Sequence, residues 1–297
     1  MAHIVSLAID ASLFLIGISV GLESGRAVTT FVVRHRGLLA RSFVSMNVVM
    51  PAAAMLAASL FGLSFPVKAA LVTLAVSPLP IHFPHKVSKA GIDDEYTVSL
   101  LLTMAVASIA VVPASIWLIG KIVGLPLGIA PLSVLRIVAS DVLVPVGIGA
   151  LVRWRVPDLS DRVVQGCMRL GTAILVLAII PLIAVLLPSM IALVGNGSII
   201  AIALFALVGL VVGHALGGAN DSHRTVLAIA TASRHPAVAL AITRANFPDQ
   251  NLAPAAILLD VLISTVIVTL YYRRPRASSA LGGRSARHRS LNAERVR

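Results

Sequence analysis

The hydrocarbon core of a bilayer is about 30 Å thick and asks for roughly 20 consecutive apolar residues from any helix that crosses it. This chain supplies nine such stretches, near residues 4–22, 38–60, 67–91, 95–119, 131–153, 166–190, 198–217, 222–243 and 252–272, once runs interrupted by Pro or Gly are counted. Backbone groups in hydrocarbon have no water to bond, so the runs must close their own hydrogen bonds, which helices do. Composition agrees: 58% of the residues are hydrophobic, 12% are charged and the mean hydropathy is +0.97. The expected class is an all-α polytopic membrane protein. The first Lys or Arg is Arg26, beyond the first apolar run, and Asp10 interrupts that run. The run therefore reads as a retained span with no cleaved leader.

Charge orients the spans. With the odd-numbered connections placed in the cytoplasm, that side collects 19 of the 24 Lys and Arg, among them Arg34, Arg36 and Arg41, Lys86 and Lys89, Arg153, Arg155, Arg162 and Arg169, and Arg224. The opposite side keeps Lys68, Lys121 and Arg244, with Arg136 near it. Such a bias places the N-terminus outside and the C-terminus inside. Tyr96, Trp117, Trp154, Tyr271 and Tyr272 fall at span ends, where interfacial aromatics belong. The net charge of +12 thus points to the anionic membrane face as partner, and away from nucleic acid. Residues 273–297 carry eight arginines and few bulky apolar side chains. They are expected to form a disordered basic tail after a transmembrane domain of residues 1–272.

Two spans are defective as helices. The third contains Ser77-Pro78-Leu79-Pro80-Ile81-His82-Phe83-Pro84, whose prolines lack N–H groups and clash with the preceding turn. The eighth contains Ser233-Arg234-His235-Pro236. Both read Ser-x-x-Pro, and 16 residues after each serine stands an acid, Asp93 or Asp249. The two serines are 156 residues apart, and the odd number of spans between them makes the segments run in opposite directions. Spans one to four then pair with spans six to nine, with the fifth as link. Matching broken spans in inverted halves are the best sequence pointer to a transporter's binding site. Lone prolines such as Pro145 and Pro181 read as kinks.

Each half-helix that starts after a break directs free N–H groups and a positive dipole end inward, a setting that attracts anions. Arg234 adds a full charge and a fork that fits carboxylate or phosphate. The candidate solute site is therefore Ser77, Pro78, Leu79, Pro80, Thr231, Ser233, Arg234, His235 and Pro236. A charge in mid-span needs a partner, and Asp10, Asp141 and Asp260 are the mid-span carboxylates available. An internal Arg234–Asp260 pair is the rival to solute contact. His235 titrates in a range suited to carrying a coupled proton. No HExxH, P-loop or GxGxxG motif supports an enzyme, no cofactor or metal is implied, and Cys167 reads as packing. The expected activity is alternating-access transport of a small organic anion; a channel or sensory membrane protein is the alternative.

At these residues the chain resembles the bile acid/sodium symporter family over roughly residues 4–272. The resemblance lies in the order of spans, the Pro-rich break of the third and Arg234-His235-Pro236-Ala237-Val238-Ala239-Leu240 in the eighth. It implies a panel domain of spans 4–22, 131–153 and 166–190 moving against a core domain of 38–119 and 198–272, in a plasma or inner membrane. In sodium-coupled members a Glu and a following Gln-Asn pair supply sodium ligands, where this chain has Ala230, Arg234 and His235. The Ser-Asn pair after the first break is matched by Phe83 and Pro84. A fixed guanidinium repels sodium, so proton coupling is expected, and a sodium-coupled symporter is the alternative. The arsenite-exporting relatives use a cysteine near the position of Ser77, so that substrate is not expected.

Overall fold

The computed structural model describes residues 2–23, 27–89, 92, 95–156, 159 and 161–273. Arg26, Asp93 and the tail beyond Arg273 lie outside them. The described residues are all-α, and eight helical stretches are long and apolar enough to cross a membrane. In chain order the elements are α1 (Ala2–Glu23), α2 (Ala27–Arg34), α3 (Arg36–Val44), α4 (Met50–Leu60), α5 (Phe65–Val76), α6 (Phe83–Lys89) and α7 (Glu95–Val123). They continue with α8 (Pro131–Val138), α9 (Val144–Arg155), α10 (Asp161–Ala192), α11 (Ser198–Leu216), α12 (Asp221–Ala232), α13 (Pro236–Asn246) and α14 (Ala253–Tyr272).

Of the nine expected spans, the one near 67–91 is not among the eight, and it carries the expected break. That region is the 12-residue α5, an irregular stretch and the seven-residue α6, because Pro78, Pro80 and Pro84 deny the chain the donors a helix needs. Two further interruptions went unanticipated. Ser45–Val49 joins α3 to α4 as a single π-helical turn, and Ala139–Leu143 joins α8 to α9 in the same way. Each is followed at the second residue by a proline, Pro51 or Pro145. Widening to a π turn removes the clash a proline ring makes with the carbonyl four residues back. Pro113 in α7 and Pro181 and Pro188 in α10 leave their helices continuous.

Small residues set which helices meet. α1 packs along α9 and α10, with Gly17 against the Pro145 ring and Gly21 against the backbone of Val146 and Gly149. A side chain on Gly21 or Gly149 would strike a carbonyl oxygen of the facing helix, so the glycines allow the backbones to touch. On the other side of the molecule α11 packs on α12 through Gly209, Gly213 and Gly217, which face the backbone of Ala232, Leu227, Ala228 and Arg224. α5 is enclosed by α4, α13 and α14. Left-handed backbone at Asn196 (φ 46) and Gly197 (φ 80) turns the chain tightly from α10 into α11.

Large aliphatics cover the outside, as at Leu177 (68% exposed), Val185 (70%) and Val211 (67%), which suits a surface solvated by lipid tails. Trp117 and Trp154 stand exposed with Lys121 5.8 Å and Arg155 5.1 Å from their ring centres, cation and ring together at the span end. Tyr96 is different. It is fully buried, its hydroxyl hydrogen-bonded to Ser42 Oγ at 2.7 Å, so its expected interfacial role is corrected to a core one.

A candidate anion site where two broken helices meet

The first break begins where α5 ends. Ser77 caps that end with extended backbone (φ −73°, ψ 148°), and its hydroxyl turns back to donate to the Thr73 carbonyl at 2.7 Å. The second break follows α12: Ser233 is extended (φ −109°, ψ 130°), and α13 restarts with Pro236 at its first turn, where a missing N–H is harmless. The two breaks touch through their main chains, since the His235 N–H donates to the Pro78 carbonyl at 3.0 Å. Backbone groups released from two helices thereby satisfy each other, as burial demands.

Arg234 occupies the centre and is 6% exposed. Its Nη1 donates to the Ser77 carbonyl at 3.3 Å and its Nη2 to the Met46 carbonyl at 3.0 Å. The second acceptor follows from the π turn. The Met50 N–H, which an α-helix would give to Met46, bonds Ser45 instead. In π register the next donor along would be residue 51, which is a proline. The Met46 carbonyl is thus left without a main-chain donor, and the guanidinium fills that place. Ser45 reinforces the contact: its hydroxyl meets Thr231 Oγ1 of α12 at 2.8 Å.

The second π turn supplies an acid. Asp141 Oδ2 lies 3.8 Å from His235 Nε2, and its other oxygen accepts from Ser140 Oγ at 2.8 Å. Asp10 of α1 lies within electrostatic range of Asp141, and His82 within that of His235. Asp260 of α14 is 3% exposed and its charge reaches Arg234, yet no ion pair within 4.0 Å joins these two among the described residues.

Among the described residues, the buried side-chain atoms without a hydrogen-bond partner include Ser233 Oγ, Arg234 Nε, both ring nitrogens of His235, Asp260 Oδ1 and His82 Nδ1. Buried polar atoms are nearly always paired, and the two others without a partner among the described residues are Ser64 Oγ and Thr97 Oγ1. A recess of about 350 Å³, bounded by Phe65, Lys68, Val72, Ile116 and Ile242, lies beside α5 and reaches Thr73, one turn before Ser77, while none of the residues of the crossing lines it. Its walls are almost wholly apolar.

The sequence-derived candidates are thus distributed as follows. Ser77 and Pro78 contribute carbonyls, Thr231 a hydroxyl bonded to Ser45, and Ser233 an unpaired hydroxyl. Leu79 is fully buried in the core, Pro80 accepts from the Phe83 N–H at 2.9 Å, and Pro236 starts α13. Asp249 lies in the connection between α13 and α14, away from the breaks in sequence. Ser45 and Met46 went unread. The signal for them is a shared pattern, Asn47-Val48-Val49-Met50-Pro51 and Asp141-Val142-Leu143-Val144-Pro145, an Asx four residues ahead of each proline that follows a π turn. Comparison of the chain with protein-family models and with curated proteins gives no match.

Proposed function

We propose that the chain is a secondary transporter of a small organic anion, working by alternating access. The observation that carries this reading is the set of unpaired buried polar atoms where two interrupted helices meet. Non-helical backbone at membrane depth is tolerated where it is enclosed by protein or lines a wet cavity, and a transporter's site is such a place. In this reading the chain crosses the membrane nine times, as inverted sets of four spans around a fifth. The unit of α1, α8, α9 and α10 is the panel, and the remaining spans form the core. The fold and inner-membrane setting proposed are those of the bile acid/sodium symporter family.

Arg234 is then both tie and ligand. Its Nη groups hold two carbonyls while Nε, the Ser233 hydroxyl and the start of α13 face the anion. The apolar recess suits a solute with a hydrocarbon body behind its charged head. His235 sits on the core and Asp141 on the panel, so movement of one against the other separates them. A proton shared by that pair is released or taken up with each cycle. A sodium ion in the same place would face the guanidinium, and hence proton drive is favoured.

The test uses protein reconstituted in liposomes with a panel of labelled small carboxylates, and with sodium and proton gradients imposed separately. Saturable uptake with counterflow, driven by a pH gradient and indifferent to sodium, is the expected result. Large passive ion flux without counterflow would make the chain a channel, and sigmoidal sodium stimulation would make it a sodium symporter.

A further inference from the structure

A second cleft, of about 630 Å³, lies between the later halves of α11 and α14. Its walls change character along their length. Leu207 and Val211, which are 44% and 67% exposed, form one end, and Leu270, 61% exposed, flanks the other. His214, Arg224 and Tyr271 form that other end. Leu207 and His214 are seven residues apart on one helix, about 10 Å of rise, so the change from hydrocarbon to cation occurs within one leaflet. Both helices end on the side that the Lys and Arg bias assigns to the cytoplasm.

The polar end is held in place from behind. The Arg224 Nε donates to the His214 carbonyl at 3.3 Å, and the His214 ring meets the Tyr271 hydroxyl at 2.7 Å. With Nε committed, the Nη edge is what the guanidinium offers; it forms a long ion pair with Asp221, 3.9 Å from Nη1, beyond hydrogen-bond distance. Asp221 is 78% exposed on its side chain and free to swing into water. Arg273 follows directly on α14 and adds to the positive field.

We infer that this cleft binds an anionic phospholipid of the cytoplasmic leaflet, its phosphate on Arg224 and one acyl chain along Val211 and Leu207. A soluble anion would gain nothing from the three exposed aliphatics that face hydrocarbon, and a partner helix would cover them without any use for the arginine. An anionic lipid satisfies both ends, and basic clefts between spans on the inner side are where such head groups dock.

The experiment is thermal unfolding and native mass spectrometry of delipidated protein, titrated with dioleoylphosphatidylglycerol, dioleoylphosphatidylcholine or inorganic phosphate. Phosphatidylglycerol should stabilise the protein and remain bound, and the other two should do so far less. Arg224→Gln should weaken that binding by about fivefold or more. Val211→Trp, a change on the lipid-facing surface that leaves the arginine in place, should weaken it by narrowing the groove. Equal binding of phosphatidylcholine, stabilisation by phosphate alone, or unaltered binding by Val211→Trp would each overturn the assignment. None of these readouts depends on transport.

Discussion

At the scale of single residues, Arg234 decides most. Removing it leaves the Ser77 and Met46 carbonyls without donors in a dry interior, at about 1–3 kcal/mol each, and strands the Asp260 carboxylate. Arg234→Ala is therefore expected to lower the unfolding temperature and abolish uptake together. Arg234→Lys should rescue little, because one ammonium cannot reach carbonyls on two separate helices as the fork does. Adding Asp260→Asn to Arg234→Ala should recover part of the stability and none of the transport, since the lone charge disappears but the tie does not return. Full activity in Arg234→Ala would refute both roles. The sequence displays the guanidinium and the carboxylates, and so the two rival partners. It does not display main-chain oxygens, and those are what Arg234 holds. Which carbonyls lie within its reach is a property of packing between segments 188 and 157 residues away in sequence.

At the scale of elements, interruptions come in two kinds. The Ser-x-x-Pro breaks at 77–80 and 233–236 are legible because a proline in mid-span removes a donor wherever it stands. The π turns are not, since Pro51 and Pro145 are also compatible with a simple kink. What distinguishes them is the partner each meets on the second break, Arg234 for the Met46 carbonyl and His235 for Asp141. Pro51→Ala tests this directly. It restores an N–H opposite the Met46 carbonyl, so Arg234 meets a rival donor. The variant should be as stable as the parent or more so, with impaired uptake, in thermal unfolding and liposome assays. Lost stability with normal uptake would mean that the π turn serves packing alone.

At the scale of the whole molecule, the charge bias makes a claim about sides. A single cysteine at Arg34 should react with an impermeant thiol reagent only from the cytoplasm, and one at Asn196 only from outside, in a background lacking Cys167. Both positions are exposed, so reactivity reports sidedness rather than access; labelling of Asn196 from the cytoplasm would invert the topology and move the lipid cleft to the other leaflet. The bond from the His235 N–H to the Pro78 carbonyl has a consequence of a different order. It is made by main-chain atoms, so any replacement of His235 other than proline leaves both groups in place. This one contact between the two breaks is therefore set by backbone, whereas the Arg234 tie beside it is set by a side chain. The side chains around that bond can change position by position while the main-chain link between the breaks persists.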